Sequence, residues 1–295
     1  MFFSDSNQLI LGTLSSVDCI EDRGFLNAMK KVLLCGTIAC GVVFGGLATF
    51  ISGAQAHFQL VYTPETMLEK GGEITLKMPF THPAESGHVM EMGTPEEFYV
   101  IRKGKKKDLM DSLKVIEWTS NENTGKAYEA SVKLRGLGDN VFVLNPAPFY
   151  EASEDIFIQQ ITKSYVNVGD LPTDWAEPQG LKTEIRPLTK PYNVIEGGTF
   201  SGVVLSEGKP VPFAEIEVEY LNYPADPENN RFASEARISS PAHAILADAS
   251  GTFTFGIPEE GFWGFAALGV GPDKEHEGKE LSQDAVIWIQ ARDID

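Results

Sequence analysis

Cysteine is confined to the first 56 of the 295 residues: Cys19, Cys35 and Cys40 are the only three, and residues 57–295 have none. That excludes disulfides, thiolate metal ligands and cysteine nucleophiles from the body of the protein. Basic residues are also scarce there, with 21 Lys and Arg against 38 Asp and Glu, a net charge of −17 at pH 7. A nucleic-acid partner is excluded on that balance, because phosphate contacts need a basic surface. The same field attracts cations, although it also serves plain solubility. No G-x-S-x-G, H-E-x-x-H or phosphate-binding P-loop occurs, so the usual motifs of hydrolases, zinc peptidases and nucleotide enzymes are missing. No segment carries a sustained 3.6-residue apolar period, which argues against a helical core.

What is present begins with a leader. Lys30-Lys31 form a basic start, Val32 to Ile51 an apolar run, and Ser52 to Ala56 a small-residue cleavage region ending in Ala54-Gln55-Ala56. Met29 is the expected start, with residues 1–28 an extension. A cut after Ala56 makes His57 the first residue of an exported, periplasmic protein. Uncut, the apolar run of about 20 residues would be long enough for a membrane anchor. A histidine at a free N-terminus offers an imidazole and an α-amine. The amine's reference pKa of about 7.7 lets a metal displace its proton near neutral pH.

The rest of the chain alternates short Val-, Ile-, Phe- and Tyr-rich stretches with Gly, Pro, Asn and Asp, as in Glu97–Arg102, Leu113–Trp118, Ile156–Val168 and Ala214–Tyr220. This pattern predicts an all-β protein of two β-sandwich domains, 57–187 and 188–295, with the boundary in the Pro/Gly-rich stretch 169–192. The first sandwich is immunoglobulin-like. The order of strands and turns from Gly197 to Leu268 is similar to transthyretin-like modules.

The richest donor set is Gly87-His88-Val89-Met90-Glu91-Met92-Gly93. On a strand, His88, Met90 and Met92 would share one face. Imidazole with thioethers suits copper, and with further nitrogens nickel or cobalt. The competing reading makes both methionines core residues beside a surface histidine. His82 can join the site through the intervening loop or remain a loop histidine. His243 and His276 read as loop and solvated residues. Lys103 to Lys107 is the one basic cluster, expected at an exposed hairpin tip, where it could dock an acidic partner or membrane headgroups.

Several segments carry a family resemblance: AHFQLVYTPE after the leader, GHVMEMGTPEEFYV, NPAPFYEASEDIFIQQITKSYVNVG, LKTEIRPLTKPYNVIEGGTFSGVVLSEGKPVPFAEIEVEYLN, GTFTFGIPEEGFWGFAAL and LSQDAVIWIQA. In these the chain resembles the periplasmic components of cobalt and nickel uptake systems, themselves a domain of unknown function. The resemblance implies a non-enzymatic protein that captures Ni²⁺ or Co²⁺ and passes it to an energy-coupling-factor or ABC-type importer in the membrane. His57, His88, Met90 and Met92 match that family's post-leader histidine and its histidine/methionine segment. Two other readings stay open: a structural or docking protein without metal function, and a copper histidine-brace oxygenase built on His57 with His88 or His82.

Overall fold

Residues 57–294 are described in the computed structural model. The leader, the expected start at Met29 and the cleavage region up to Ala56 lie outside them. Every described residue belongs to one compact unit, and regular structure in it is β apart from a single 3₁₀ turn at Met110–Ser112. No helix among the described residues is long and apolar enough to cross a membrane.

The protein is an all-β sandwich, organised around one large mixed sheet. Eight of its strands run in the order Ala242–Leu246, Glu215–Tyr220, Gly261–Ala267, Lys279–Arg292, Ile156–Val168, Gly138–Asn145, Glu97–Arg102 and Lys105–Asp108. The sheet crosses from one half of the sequence to the other where Ile156–Val168 pairs in parallel with Lys279–Arg292, Phe157 opposite Leu281 through Lys163 opposite Ile287. Residues of both expected domains, 57–187 and 188–295, therefore contribute strands to this one sheet.

A sheet covered on both faces buries both faces of its central strands, and any polar side chain there must find a partner inside. In Ile156–Val168 every residue after the first is buried. Odd-numbered Ile161 and Tyr165 join Ile185, Phe200, Val204 and Phe253 on one side, under the sheet built from Thr183–Pro187, Thr199–Ser206 and Thr252–Gly256. Even-numbered Ile158, Val166 and Val168 face Leu76, Met78, Tyr128 and Val132 on the other side. Those belong to the sheet of Glu73–Met78, Leu113–Thr119 and Thr124–Lys133. A third apolar group on that second side joins Phe58 to Trp118, Ala266 and Trp288. Trp118 and Trp263 are fully buried, and burying a large side chain contributes about 1.5–3 kcal/mol.

Candidate functional site

Residues 57–59 are fixed at several points. Phe58–Gln59 pairs antiparallel with Phe80–Thr81. The Phe58 ring lies edge-on to Trp288 at 5.6 Å and fills the space over Gly264, where a Cβ would stand 2.8 Å from it. Trp288 donates its indole N–H to the Gln59 carbonyl at 2.9 Å. Gln160 supplies the closest control. Its Oε1 accepts the Gln59 amide at 2.8 Å and its Nε2 donates to the His57 carbonyl at 2.6 Å. One side-chain amide thereby imitates a neighbouring strand and sets the register of residues 57–59. Gln160 Nε2 also lies 3.3 Å from the fully buried Asp284 carboxyl.

The His57 imidazole consequently sits in a defined place. Its Nε2 is 3.1 Å from Glu151 Oε2, with 14% of the side chain exposed. Its ring centroid is 4.5 Å from that of His82, and Phe80 and Phe149 flank it at 5.6 and 6.4 Å. Burial lowers the His57 pKa, against the raising field of Glu151, Glu154 and Asp284. The ring is thus biased toward the neutral form that metals bind.

His82 follows Phe80–Thr81 and opens a turn whose anchors come from the other half of the sequence. Ala84 donates its amide to Glu219 Oε2 at 3.1 Å, and Asn222 Nδ2 donates to the Ala84 carbonyl at 3.1 Å. Gly87 closes the turn onto the His82 carbonyl, and a Cβ there would approach the His82 side chain to 3.1 Å. Buried carboxyls lie beneath. Burial raises the pKa of Asp284 and pushes that of Glu217 up to about 7, with Asp284 and Glu154 adding repulsion.

The remaining expected ligands go elsewhere. Residues 88–92 form no strand, which corrects the shared-face expectation. Their backbone groups find separate partners: both of Val89's go to the Asn123 side-chain amide, the Met90 amide to the Phe80 carbonyl and the Met92 amide to the Lys126 carbonyl. Met90 and Met92 are buried in the core while His88 is exposed, 3.4 Å from Asn123 Nδ2. Met92 approaches the site only indirectly, through a 3.8 Å contact between its sulfur and Gln59 Nε2. His243 packs on Phe255, and His276 on Phe157.

His57 and His82, with Glu151, are thus the expected and unexpected donors that the fold brings together. Among the described residues no three His, Cys, Asp or Glu side chains stand already converged as a metal-binding group. Glu151, Gln160 and Asp284 were not among the expected site residues. The last two had a signal: polar residues inside the apolar strands IFIQQI and SQDAVIWI.

Fold and site define an all-β sandwich protein, free of cysteine among its described residues, with His57 and His82 brought together in space. Residues 54–271 match the family described as Domain of unknown function (DUF4198), and the chain belongs to that family. No curated protein sequence matches it. Similar solved structures include α2-macroglobulin from Escherichia coli, with 12% identity over 80% of this chain and 16% of that one, at a TM-score of 0.25. The Yersinia pseudotuberculosis adhesin InvE gives 13% identity over 80% of this chain and 61% of that one, at a TM-score of 0.21. The fibronectin(III)-like modules of Clostridium thermocellum CbhA give 9%, 79%, 95% and 0.18 in the same terms. The chain spans well under two thirds of the first of these. At such scores the likeness carries no functional argument.

Proposed function

We propose that this is an extracytoplasmic metal-binding protein that captures Ni²⁺ or Co²⁺ and delivers it to a membrane importer. The observation that carries the reading is the 4.5 Å approach of the His57 and His82 rings, 25 residues apart in sequence, with Glu151 on the His57 Nε2. The thioethers of Met90 and Met92 are buried in the core, so the accessible donors are nitrogen and oxygen. That set favours borderline divalent ions over Cu⁺. A cut after Ala56 would add the His57 α-amine as a further nitrogen. Glu151 would leave His57 Nε2 or join the ion as an oxygen ligand. The non-enzymatic role, the periplasmic location and the importer partner belong to the same proposal.

The test is isothermal titration of the exported chain, after its N-terminal residue and intact mass have been established. One Ni²⁺ or Co²⁺ per chain at micromolar affinity is expected, together with weaker binding by a chain that retains Ala56. No binding at micromolar metal would sink the proposal. The His57–His82 pair would also suit a copper histidine brace. Reductant-dependent peroxide production by the copper-loaded protein would select that oxygenase reading instead.

A further inference from the structure

A cleft of about 550 Å³ at the Lys105–Asp108 end of the central sheet's strand order is lined by Arg102, Lys105, Lys107, Lys133 and Arg135. No acidic residue lines it, although acids outnumber bases 38 to 21 in residues 57–295. Chance mixing at that ratio would put acids into such a lining, so the concentration of positive charge needs an explanation.

Register explains how the charges converge. Val100 pairs with Lys107 and Arg102 with Lys105. In an antiparallel ladder, directly opposed residues and those two positions away share a face. These three cations therefore project to one side, while Lys106 turns to the other, over the Tyr99 ring at 3.6 Å and paired with Glu97. Lys133 ends the strand that forms the other wall, and Arg135 follows it.

Some lysines elsewhere are neutralised, as in Lys77–Glu129, Lys163–Glu184 and Lys182–Asp273. Among the described residues the five cleft cations make no ion pair. Arg102 is seated deliberately. One terminal nitrogen donates to the Leu137 carbonyl at 3.0 Å, and Gly136, at φ 73°, leaves space that a Cβ would take at 2.8 Å from that same nitrogen. Its Nε is buried with no hydrogen-bond partner. Val100, Val132 and Leu134 give the cleft an apolar floor, and Ser112 and Ser131 add hydroxyls.

We propose that this cleft binds a compact ligand bearing phosphate groups. Five like charges held together repel one another, so the favoured ligand carries several negative charges in a small volume. Phosphoryl groups supply up to about two charges each and accept from both guanidinium forks and ammonium groups. The cleft is large enough for two such groups or a phosphorylated headgroup. An extended polyanion such as nucleic acid would meet the negative remainder of the protein. The site is independent of the histidine pair and of any metal.

The test uses the whole exported chain in chelator, with two probes: pyrophosphate by titration calorimetry, and vesicles of phosphatidylglycerol against phosphatidylcholine by co-sedimentation. Saturable pyrophosphate binding that weakens with salt is expected. The double variant Lys133→Gln/Arg135→Gln should bind at least ~10-fold more weakly, while Lys209→Gln, on a distant turn, should bind as the parent does. Circular dichroism would establish that the double variant is folded. Binding to phosphatidylglycerol vesicles as well as pyrophosphate would identify a lipid headgroup as the source of the phosphate. Binding to pyrophosphate alone would identify a free oligophosphate. The proposal is overturned if neither probe binds, or if the folded double variant binds as well as the parent.

Discussion

His57 and His82 hold their rings 4.5 Å apart at an interplanar angle of 51°, although they stand 25 positions apart and His82 belongs to a turn anchored by Glu219 and Asn222. If this pair is the metal site, His82→Ala should weaken Ni²⁺ binding at least ~10-fold, the loss of about 1.4 kcal/mol or more. His88→Ala should leave it unchanged, since His88 is exposed and its ring nitrogen faces Asn123. Parallel calorimetric titrations would separate the two. Equal losses in both variants would return His88 to the site.

Gln160 holds the His57–Gln59 backbone through both ends of its side-chain amide. Gln160→Met keeps the approximate volume and removes both hydrogen bonds. The Gln59 amide should then exchange with solvent faster by ~10-fold, as a lost backbone anchor requires. Metal affinity should fall, and the melting temperature should drop by a few degrees because the buried Gln59 amide loses its partner. Amide exchange by NMR reads the first effect without metal, so it tests the clamp even if the metal reading fails.

Gly264 is the seat of Phe58, whose ring lies where a Cβ would come within 2.8 Å of it and of Trp288. Gly264→Ala should therefore destabilise the fold by about 1–3 kcal/mol, the range for overpacking a filled core. Chemical denaturation would measure it. The same variant should also weaken the His57 site, because Phe58 is the adjoining residue.

Lys163 and Glu184 form a buried ion pair of 2.6 Å, with 0% and 1% of their side chains exposed. Glu184 also accepts the amides of Gln179 and Gly180. Burial pushes the Glu184 carboxyl up, but Lys163 and the two amides more than offset it, so its pKa is lowered in the folded state. A lowered carboxyl stabilises the fold above its unfolded pKa and loses that contribution as pH falls through the folded value. Lys163→Met should cost about 3–5 kcal/mol at pH 7, by leaving a buried charge alone. Urea melts at pH 7 and pH 3 should show the penalty shrinking in acid.

Glu217 behaves in the opposite sense. Its carboxyl is pushed up to about 7 by burial and by the acids around it. The folded state thus holds its proton more tightly than the unfolded chain, and stability falls as pH rises from the unfolded value of about 4.5 toward 7. Glu217→Gln, which mimics the protonated form, should raise stability by ~2 kcal/mol at pH 8 and change it little at pH 4. A melting series across that range would show the crossover or refute it.

The strands were largely legible because alternation and turn residues act locally. Glu97–Arg102 and Ile156–Val168 have the expected bounds. The segment 88–92 misled because apolar and polar residues alternate there without a continuous strand partner. Asn123, Phe80 and Lys126 take its backbone groups one by one, and no sequence spacing encodes that.

The site divides in the same way. Composition and order within the chain determined the all-β class, the absence of cysteine from residues 57–295 and the position of His57 directly after Ala54-Gln55-Ala56. Which residues surround His57 was decided only by the tertiary structure. Parallel pairing of Ile156–Val168 with Lys279–Arg292 places Gln160 opposite Asp284, and the turn holding His82 is fastened by Glu219 and Asn222. Donor convergence depends on strand order and register, which join residues more than a hundred positions apart, whereas hydrophobic periodicity reports only whether each strand's own faces are buried.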